Sequence, residues 1–432
     1  MEPYGIGLIG CGTVGSGVAK LLLEHEQRLS ARAGRKLVLR KVVVRDLDKP
    51  RQVTLPRDLL TTDLQEVLDD PDIQIAVEVV GGVTWAKDAI LKLLAAGKHI
   101  VTANKALLAL HGEEVFSAAR EHNKAIAFEA AVAGGVPVVA AVTQNLAANQ
   151  ISGVLGILNG TSNYILTAMT ESGRSYDEAL AEAQALGYAE ADPTFDIDGT
   201  DAAHKLAILS HIAFGVPIPF DAIDRIGIAA VHQADVQFAQ ELGYTIKLLA
   251  EAWVEADELA LHVAPVLLRQ SAPLAQVRGS YNAIQFVGDA VGDVLYYGRG
   301  AGQMPTASAV VADIIDMAVG RAQRTFQTLR LWTGKANGVS VRPKSSVSSK
   351  YCLRLQVEDR PGVLAEVTNI LAKHEISISS VIQHESGVET ATMIPLILMT
   401  HVVQTGVFLE AVAEIETLAA VQGSGVYYSV AD

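Results

Sequence analysis

Apolar runs of strand length alternate with amphipathic stretches along the first 135 residues. Residues 4–10, 37–45, 73–80, 99–103 and 125–131 read as five strands, bounded by turn formers. Between them, residues 16–30 place Val18, Leu21 and Leu22 on one helical face, and residues 87–96 form a helix stopped by Gly97. Strand and helix in alternation predict a parallel sheet with right-handed crossovers.

The pattern changes after Gly134, Gly135 and Pro137, where a helix is expected to follow. Residues 151–158 read as a strand, and 164–171, 177–186 and 201–214 as helices. Strands return at 259–268 and 285–297, the second interrupted by Gly288 and Gly292. Residues 306–319 are helical and are expected to pack back on the first unit. The stretch 342–350, RPKSSVSSK, is polar, Ser-rich and basic, as a linker is. Strands at 351–357, 376–383, 393–399 and 426–430, with helices at 362–373 and 407–418, then give the order βαββαβ. The expected division is 1–135, an α/β unit; 136–305, an α+β unit; 306–341, a returning helix; 342–350, a linker; and 351–432, the βαββαβ unit.

Composition narrows the class. Half of the 432 residues are hydrophobic, enough for several cores. The net charge of -14 argues against a nucleic-acid backbone as partner, because phosphate binding needs clustered cations. The apolar stretch 136–142 is too short to span a bilayer, and the N-terminus lacks the basic region of a secretory signal. Cys11 and Cys352 fit no disulfide framework or zinc spacing, so a reducing, cytoplasmic setting is expected.

Candidate chemistry begins at Gly10-Cys11-Gly12-Thr13-Val14-Gly15, a full G-x-G-x-x-G between a strand and a helix. Gly10 allows the tight turn, Gly12 lets the backbone approach a pyrophosphate, and Gly15 lets helix and strand pack closely. The helix start, at Thr13 and Val14, offers free N–H groups to phosphates. This predicts a Rossmann-type dinucleotide-binding unit. At the end of the second strand, Arg45, with Lys49 and Arg51 nearby, suits the 2′-phosphate of NADP, while Asp46 suits the free hydroxyl of NAD. Lys105 follows the fourth strand, at the edge where ligands sit, and is either a ligand-facing amine or a solvated one. Residues 187–201 carry five carboxylates, suited to a cationic group, and Asp201 and Lys205 then share one face of an apolar helix. A buried acid–lysine pair is costly unless hydrogen-bonded or functional. His204 points to another face and is read as structural.

GLIGCGTVGSGV, VTANKALLA, FEAAVAGGVPVV, LNGTSNYIL, GYAEADPTFDIDGTDAAHKLAIL and YYGRGAGQMPTASAVVAD together resemble homoserine dehydrogenase over residues 4–340. EDRPGVLAEVTNIL resembles an ACT domain, an amino-acid sensor. The resemblance implies reversible NAD(P)H-dependent reduction of aspartate 4-semialdehyde to homoserine, on the route to threonine, methionine and isoleucine. By that resemblance Lys205 donates the proton, and Lys105 assists at the same oxygen and touches the cofactor. Glu190 holds the substrate ammonium, Asp201 and Asp196 orient substrate and lysine, and Gly160, Thr161 and Tyr188 frame the amino-acid end. Gly302 approaches the nicotinamide. Glu129, with the carbonyls of Val132, Gly134 and Val136, binds a sodium ion. The family's usual Gly-Leu-Asp is Gly199-Thr200-Asp201 here, and residues 81–85 depart from the family pattern.

The resemblance further implies a homodimer or homotetramer and an effector at the ACT unit, threonine by analogy; no kinase domain is expected ahead of residue 1. Two other readings compete with the dehydrogenase: an enzyme acting at an α-amine, and a non-catalytic sensor. The first needs no convergence of Lys105 and Lys205, and the second needs no intact glycine loop. The ACT unit itself is read either as an effector site or as an assembly module.

Overall fold

The computed structural model describes residues 1–333, 340–383 and 393–431. Strands β1 (Pro3–Ile9), β2 (Lys36–Val43), β3 (Leu60–Thr61), β4 (Ile73–Glu78), β5 (His99–Thr102) and β6 (Ile126–Ala127) form one sheet in the order β3-β2-β1-β4-β5-β6. All its neighbours are parallel. The order reverses between β1 and β4, which opens a crevice at the carboxyl ends of the strands. Ile6, Leu8, Ile75, Val77 and Ile100 are fully buried, because helices cover both faces.

Several elements depart from the sequence expectation. The helix expected over 16–30 is two, Thr13–Glu24 and Glu26–Ala33, divided at His25. The fifth expected strand shrinks to β6, because the chain then turns into a 3₁₀ segment, Glu129–Ala131. There the Glu129 N–H donates to Asp313 Oδ2 at 2.9 Å instead of to a ladder. Lys105 opens an unexpected helix, Lys105–Glu121. Helix Gln303–Ala318 crosses the Thr13–Glu24 helix closely: a Cβ on Gly17 would stand 2.9 Å from the Ala307 side chain.

The second sheet runs through the rest of the molecule. Its order is Gly292–Arg299, Tyr281–Gly288, Ile151–Ile157, Tyr244–Glu255, Glu258–Arg269, Val421–Ala431, Ser348–Glu358, Met393–Thr400 and Ile378–Gln383. The run 285–297 is a hairpin whose turn lies between Gly288 and Gly292. Strand Tyr244–Glu255 and helices Gln233–Glu241 and Arg321–Leu329 are additions to the sequence reading. Stretch 342–350 is held in place: Ser340–Val341 pairs with Glu258 and Leu259, and Arg342 bridges Glu255 at 2.8 Å and Glu258 at 3.0 Å. The C-terminal unit has the expected βαββαβ order, with a two-residue strand, Val403–Gln404, added before its last helix. Its last strand lies parallel to Glu258–Arg269, pairing Val266 with Ser429 and Leu268 with Ala431, so one sheet joins both units. Among the described residues no helix is long and apolar enough to cross a membrane.

Candidate active site

Helix Thr200–Phe214 starts after Gly199, whose φ of +87° favours glycine, and its first turns bury Asp201 and Lys205 on one face. Lys205 Nζ donates to Asp201 Oδ2 at 2.6 Å and to the Leu158 carbonyl at 2.6 Å. Lys105 reaches the same carboxylate from the first unit, its Nζ 2.6 Å from Asp201 Oδ1. Asn104 fixes the start of that helix by accepting from the Leu107 N–H at 3.1 Å. Beneath it, buried Glu78 accepts from Thr102 Oγ1 at 2.6 Å and from the Val80 N–H at 3.0 Å, tying together the loops that follow β4 and β5.

Two ammonium groups on one buried carboxylate shift all three. Burial alone raises the Asp201 carboxyl, but Lys205 and Lys105 overcome it and hold it below the ordinary carboxylate range. Burial lowers Lys205 below the usual lysine value against the pull of Asp201, and Lys105 lowers it further. Lys105 moves the other way, raised by Asp201 against its own desolvation. Its side chain is 42 % exposed, so water screens that pull. Lys205 is therefore the amine of the pair that loses its proton more readily.

The acidic loop closes the other side. Asp196 sits on the turn Thr194–Ile197; burial and Asp201 raise it, and Asn159 and Thr161 hydrogen-bond to it. Thr161 Oγ1 donates to the Tyr188 carbonyl at 2.7 Å, and the Tyr164 and Tyr188 rings pack 5.0 Å apart. Gly160 comes so near the Ser280 carbonyl that a Cβ would meet it at 2.7 Å. Glu190 lies exposed at the rim, within electrostatic reach of Lys105. His204 stacks on Phe220 at 4.4 Å, with Asp201 and both lysines within electrostatic reach.

The glycine loop faces the crevice. Gly10 has φ +100°, Gly15 approaches the Gly10 carbonyl to 2.2 Å from where its Cβ would be, and a Cβ on Gly12 would point into open space. No side chain caps the helix that starts at Thr13, which leaves its N–H groups to an anion. The residues therefore fit a dinucleotide pyrophosphate. Gly302, with φ +115°, precedes Gln303, which bonds Gln52 beyond β2 at 2.5 Å, so its turn lies over the same crevice. Arg45 is exposed at the end of β2.

Around the expected cation site, Glu129 is buried and accepts from the Val139 N–H at 2.9 Å and the Ala140 N–H at 2.7 Å. Burial pushes its carboxyl up to about 7, a penalty that a cation beside it would offset. The Val136 carbonyl accepts from the Val138 N–H at 2.8 Å, and Gly135 N–H bonds the Arg299 carbonyl at 3.1 Å. The stretch carrying Val132, Gly134 and Val136 thus packs against the turn before Gly302.

The site brings together Lys105, Lys205, Asp201, Asp196, Thr161, Tyr188 and Gly160. Three residues of this network escaped the sequence reading: Asn159, Glu78 and Asn282, whose Nδ2 donates to the Leu158 carbonyl at 2.7 Å. Only Asn159 carried a signal, an Asn-Gly at the junction of a strand and a helix.

Comparison with known proteins shows the family. The model of homoserine dehydrogenase matches residues 137–315, that of the homoserine dehydrogenase NAD-binding domain residues 10–129, and that of the ACT domain residues 353–420. The chain is 44 % identical over 426 residues to homoserine dehydrogenase of Pseudomonas aeruginosa, covering 98 % of each. It superposes on the crystal structure of a homoserine dehydrogenase from Thiobacillus denitrificans with TM-score 0.93 and 43 % identity, over 100 % of this chain and 99 % of that one. A hyperthermophilic archaeal homoserine dehydrogenase mutant in complex with NADPH covers 73 % of this chain and is itself covered to 97 %, with 27 % identity and TM-score 0.61.

Proposed function

Because this chain belongs to the homoserine dehydrogenase family, an NAD(P)-dependent oxidoreductase interconverting aspartate 4-semialdehyde and homoserine, we propose that Lys205 and Lys105 together serve the reacting oxygen. The observation that carries this reading is that the two amines, from different units, stand 2.6 Å from opposite oxygens of Asp201. A nicotinamide cofactor, held by the glycine loop at residues 10–15 and the helix start at Thr13, would supply the hydride for the aldehyde carbon. Lys205 gives its proton to the oxygen as negative charge develops there, and Lys105 stabilises that charge by electrostatics. In the reverse direction neutral Lys205 takes the hydroxyl proton. Glu190 at the rim and Asp196 hold the substrate ammonium away from the lysines, while Gly160, Thr161 and Tyr188 frame that end.

NADP is the proposed cofactor. One oxygen of the Asp46 carboxylate accepts from the Asp48 N–H at 2.9 Å, and Arg51 is bound to the carbonyls of Leu47 at 3.2 Å and Lys49 at 2.9 Å. The side chains of Arg45 and Lys49 enter none of these bonds and are the cations left to meet a 2′-phosphate, Arg45 standing at the end of β2. The relative solved with NADPH supports this choice. A sodium ion held by Glu129 and the carbonyls of Val132, Gly134 and Val136 belongs to the same reading, since an all-oxygen shell suits a hard cation. So do the division at residues 135, 305, 341 and 350, a cytoplasmic setting, and threonine acting at the ACT unit, near the turn Asp359 to Gly362. A homodimer or homotetramer is supported by the outermost strands of the long sheet, which leave Leu295, Tyr297 and Val381 exposed.

The test is oxidation of NADPH with aspartate semialdehyde, set against oxaloacetate plus ammonia. Turnover with the first alone, lost in Lys205→Ala, is expected. Turnover with the second, or an active Lys205→Ala, contradicts the proposal.

A further inference from the structure

Between the two carboxylates that face the lysines stands one buried amide. Asn159 is 4 % exposed and lies between the strand Ile151–Ile157 and the helix Gly160–Ser172. Its Oδ1 accepts from the Ser162 N–H at 2.8 Å, which caps the helix. That bond settles the amide's orientation, because the acceptor end must face the helix and the NH₂ end must face the acids. There one N–H goes to Asp196 Oδ1 at 2.8 Å and the other to Asp201 Oδ2 at 2.9 Å.

We propose that Asn159 is the positioning residue of the proton-transferring lysine: it fixes the rotation of the Asp201 carboxylate, so that Oδ2 meets Lys205 and Oδ1 meets Lys105, and it shares Oδ2 with Lys205. The inference rests on the reading of Lys205 as proton donor. Asp201 Oδ2 receives two donors, so part of its hydrogen-bonding capacity is taken by the amide and Lys205 is held less tightly. The preceding residue grips the amine from the other side. The Leu158 carbonyl accepts from Lys205 Nζ at 2.6 Å and is itself fixed by Asn282 Nδ2 at 2.7 Å. Two consecutive residues at a strand end thus set both the direction of the ammonium and the strength of its ion pair. The same NH₂ separates two like charges that would otherwise oppose each other.

The charged groups facing Lys205 are Asp201 on its own helix, Lys105 on helix Lys105–Glu121 and Asp196 on the turn Thr194–Ile197; His204 beside it stacks on Phe220. Without the Asn159 donor, Oδ2 serves Lys205 alone. The pair tightens and the amine becomes more basic. Asp196 loses a donor as well and takes up a proton more readily, but its pull on Lys205 is the smaller one. Homoserine oxidation requires neutral Lys205, so its rising limb moves to higher pH.

The test is the pH dependence of kcat/KM for homoserine oxidation in the full chain. Asn159→Ser keeps a good helix cap and removes both donors. It is expected to move the rising limb up by about half a pH unit or more. It is also expected to lower kcat at neutral pH by about tenfold with less change in KM, at a near-normal melting temperature. Asn159→Asp keeps shape and cap but sets an acceptor against two carboxylates, so a larger shift is expected. A wild-type limb in Asn159→Ser overturns the proposal and leaves Asn159 a helix cap only. Should the serine variant not fold, the limb of Asn159→Asp decides in the same way. An active Lys205→Ala sinks the underlying reading, whereas an inactive Lys205→Ala with an unshifted Asn159→Ser limb sinks only the role of Asn159.

Discussion

At the scale of single residues, the chemistry follows from an unequal division of one carboxylate's influence. Lys205 is buried and lowered, and Lys105 is half in water and raised. Homoserine oxidation should therefore rise with pH along a limb below the ordinary lysine value of 10.5, and reduction should fall along it. Lys105→Met removes one of the charges that lowers Lys205. Its limb should move to higher pH, with a lower plateau, in a pH profile of kcat; a limb moving down contradicts the assignment. Arg45→Ala should raise KM for NADP by about tenfold or more, the loss of one charge-assisted bond to phosphate, and change KM for NAD little. Equal effects on the two cofactors in steady-state kinetics would remove Arg45 from recognition. The Asp201–Lys205 pair was legible because helical spacing alone puts both on one face. Asn159 was not: a polar residue ahead of a helix looks like a cap, and the acids it joins lie 37 and 42 residues away.

At the scale of elements, periodicity served where burial was one-sided or complete, and failed where a polar residue was buried with a partner. Strand Tyr244–Glu255 escaped because Lys247 and Glu251 interrupt its apolar run at a helical spacing. Both are buried: Lys247 donates to Asn163 Oδ1 at 2.9 Å and the Val277 carbonyl at 2.5 Å, and Glu251 pairs with His262 at 3.1 Å. The helix starting at Lys105 was obscured by His111, whose φ of -132° breaks its regularity. A further buried pair joins elements of different units. Arg354, on strand Ser348–Glu358, binds Asp235 of helix Gln233–Glu241 through two nitrogens, with side chains 10 % and 2 % exposed. Removing one member strands the other charge. Arg354→Met is expected to destabilise the chain by about 3–5 kcal/mol, read as a lower denaturation midpoint. A change below about 1 kcal/mol would show that the carboxylate is resolvated and the pair is not structural.

At the scale of the molecule, the long sheet makes the C-terminal unit part of the architecture. The three functional classes of element were legible in order along the chain: glycine loop, acidic loop with its lysine, and βαββαβ unit. Their joining was not, because a parallel pairing such as Val266 with Ser429 spans more than 160 residues and leaves no local periodicity. Helix Gln233–Glu241 leans on the helix that carries Gly160 and Thr161, with Gln240 Nε2 donating to the Thr170 carbonyl at 3.0 Å. The C-terminal unit is therefore linked to the C-terminal end of helix Gly160–Ser172 through one intervening helix. Cutting the chain after Lys350 strips the edge of strand Glu258–Arg269 around Leu267. The truncated protein is expected to aggregate more readily and melt lower, while its soluble fraction keeps turnover. A truncation that is monodisperse and as heat-stable as the full chain, by light scattering and calorimetry, would show that the shared sheet contributes nothing.

The central claim is that two amines from different units act on one oxygen as a unit. Its most direct test is kcat for homoserine oxidation in Lys105→Ala, Lys205→Ala and the double variant. Each single change should cost about 10²–10⁴-fold, and the double should fall far short of the product, as cooperating groups do. A Lys205→Ala enzyme within about threefold of wild type, or losses that multiply in full, would contradict it.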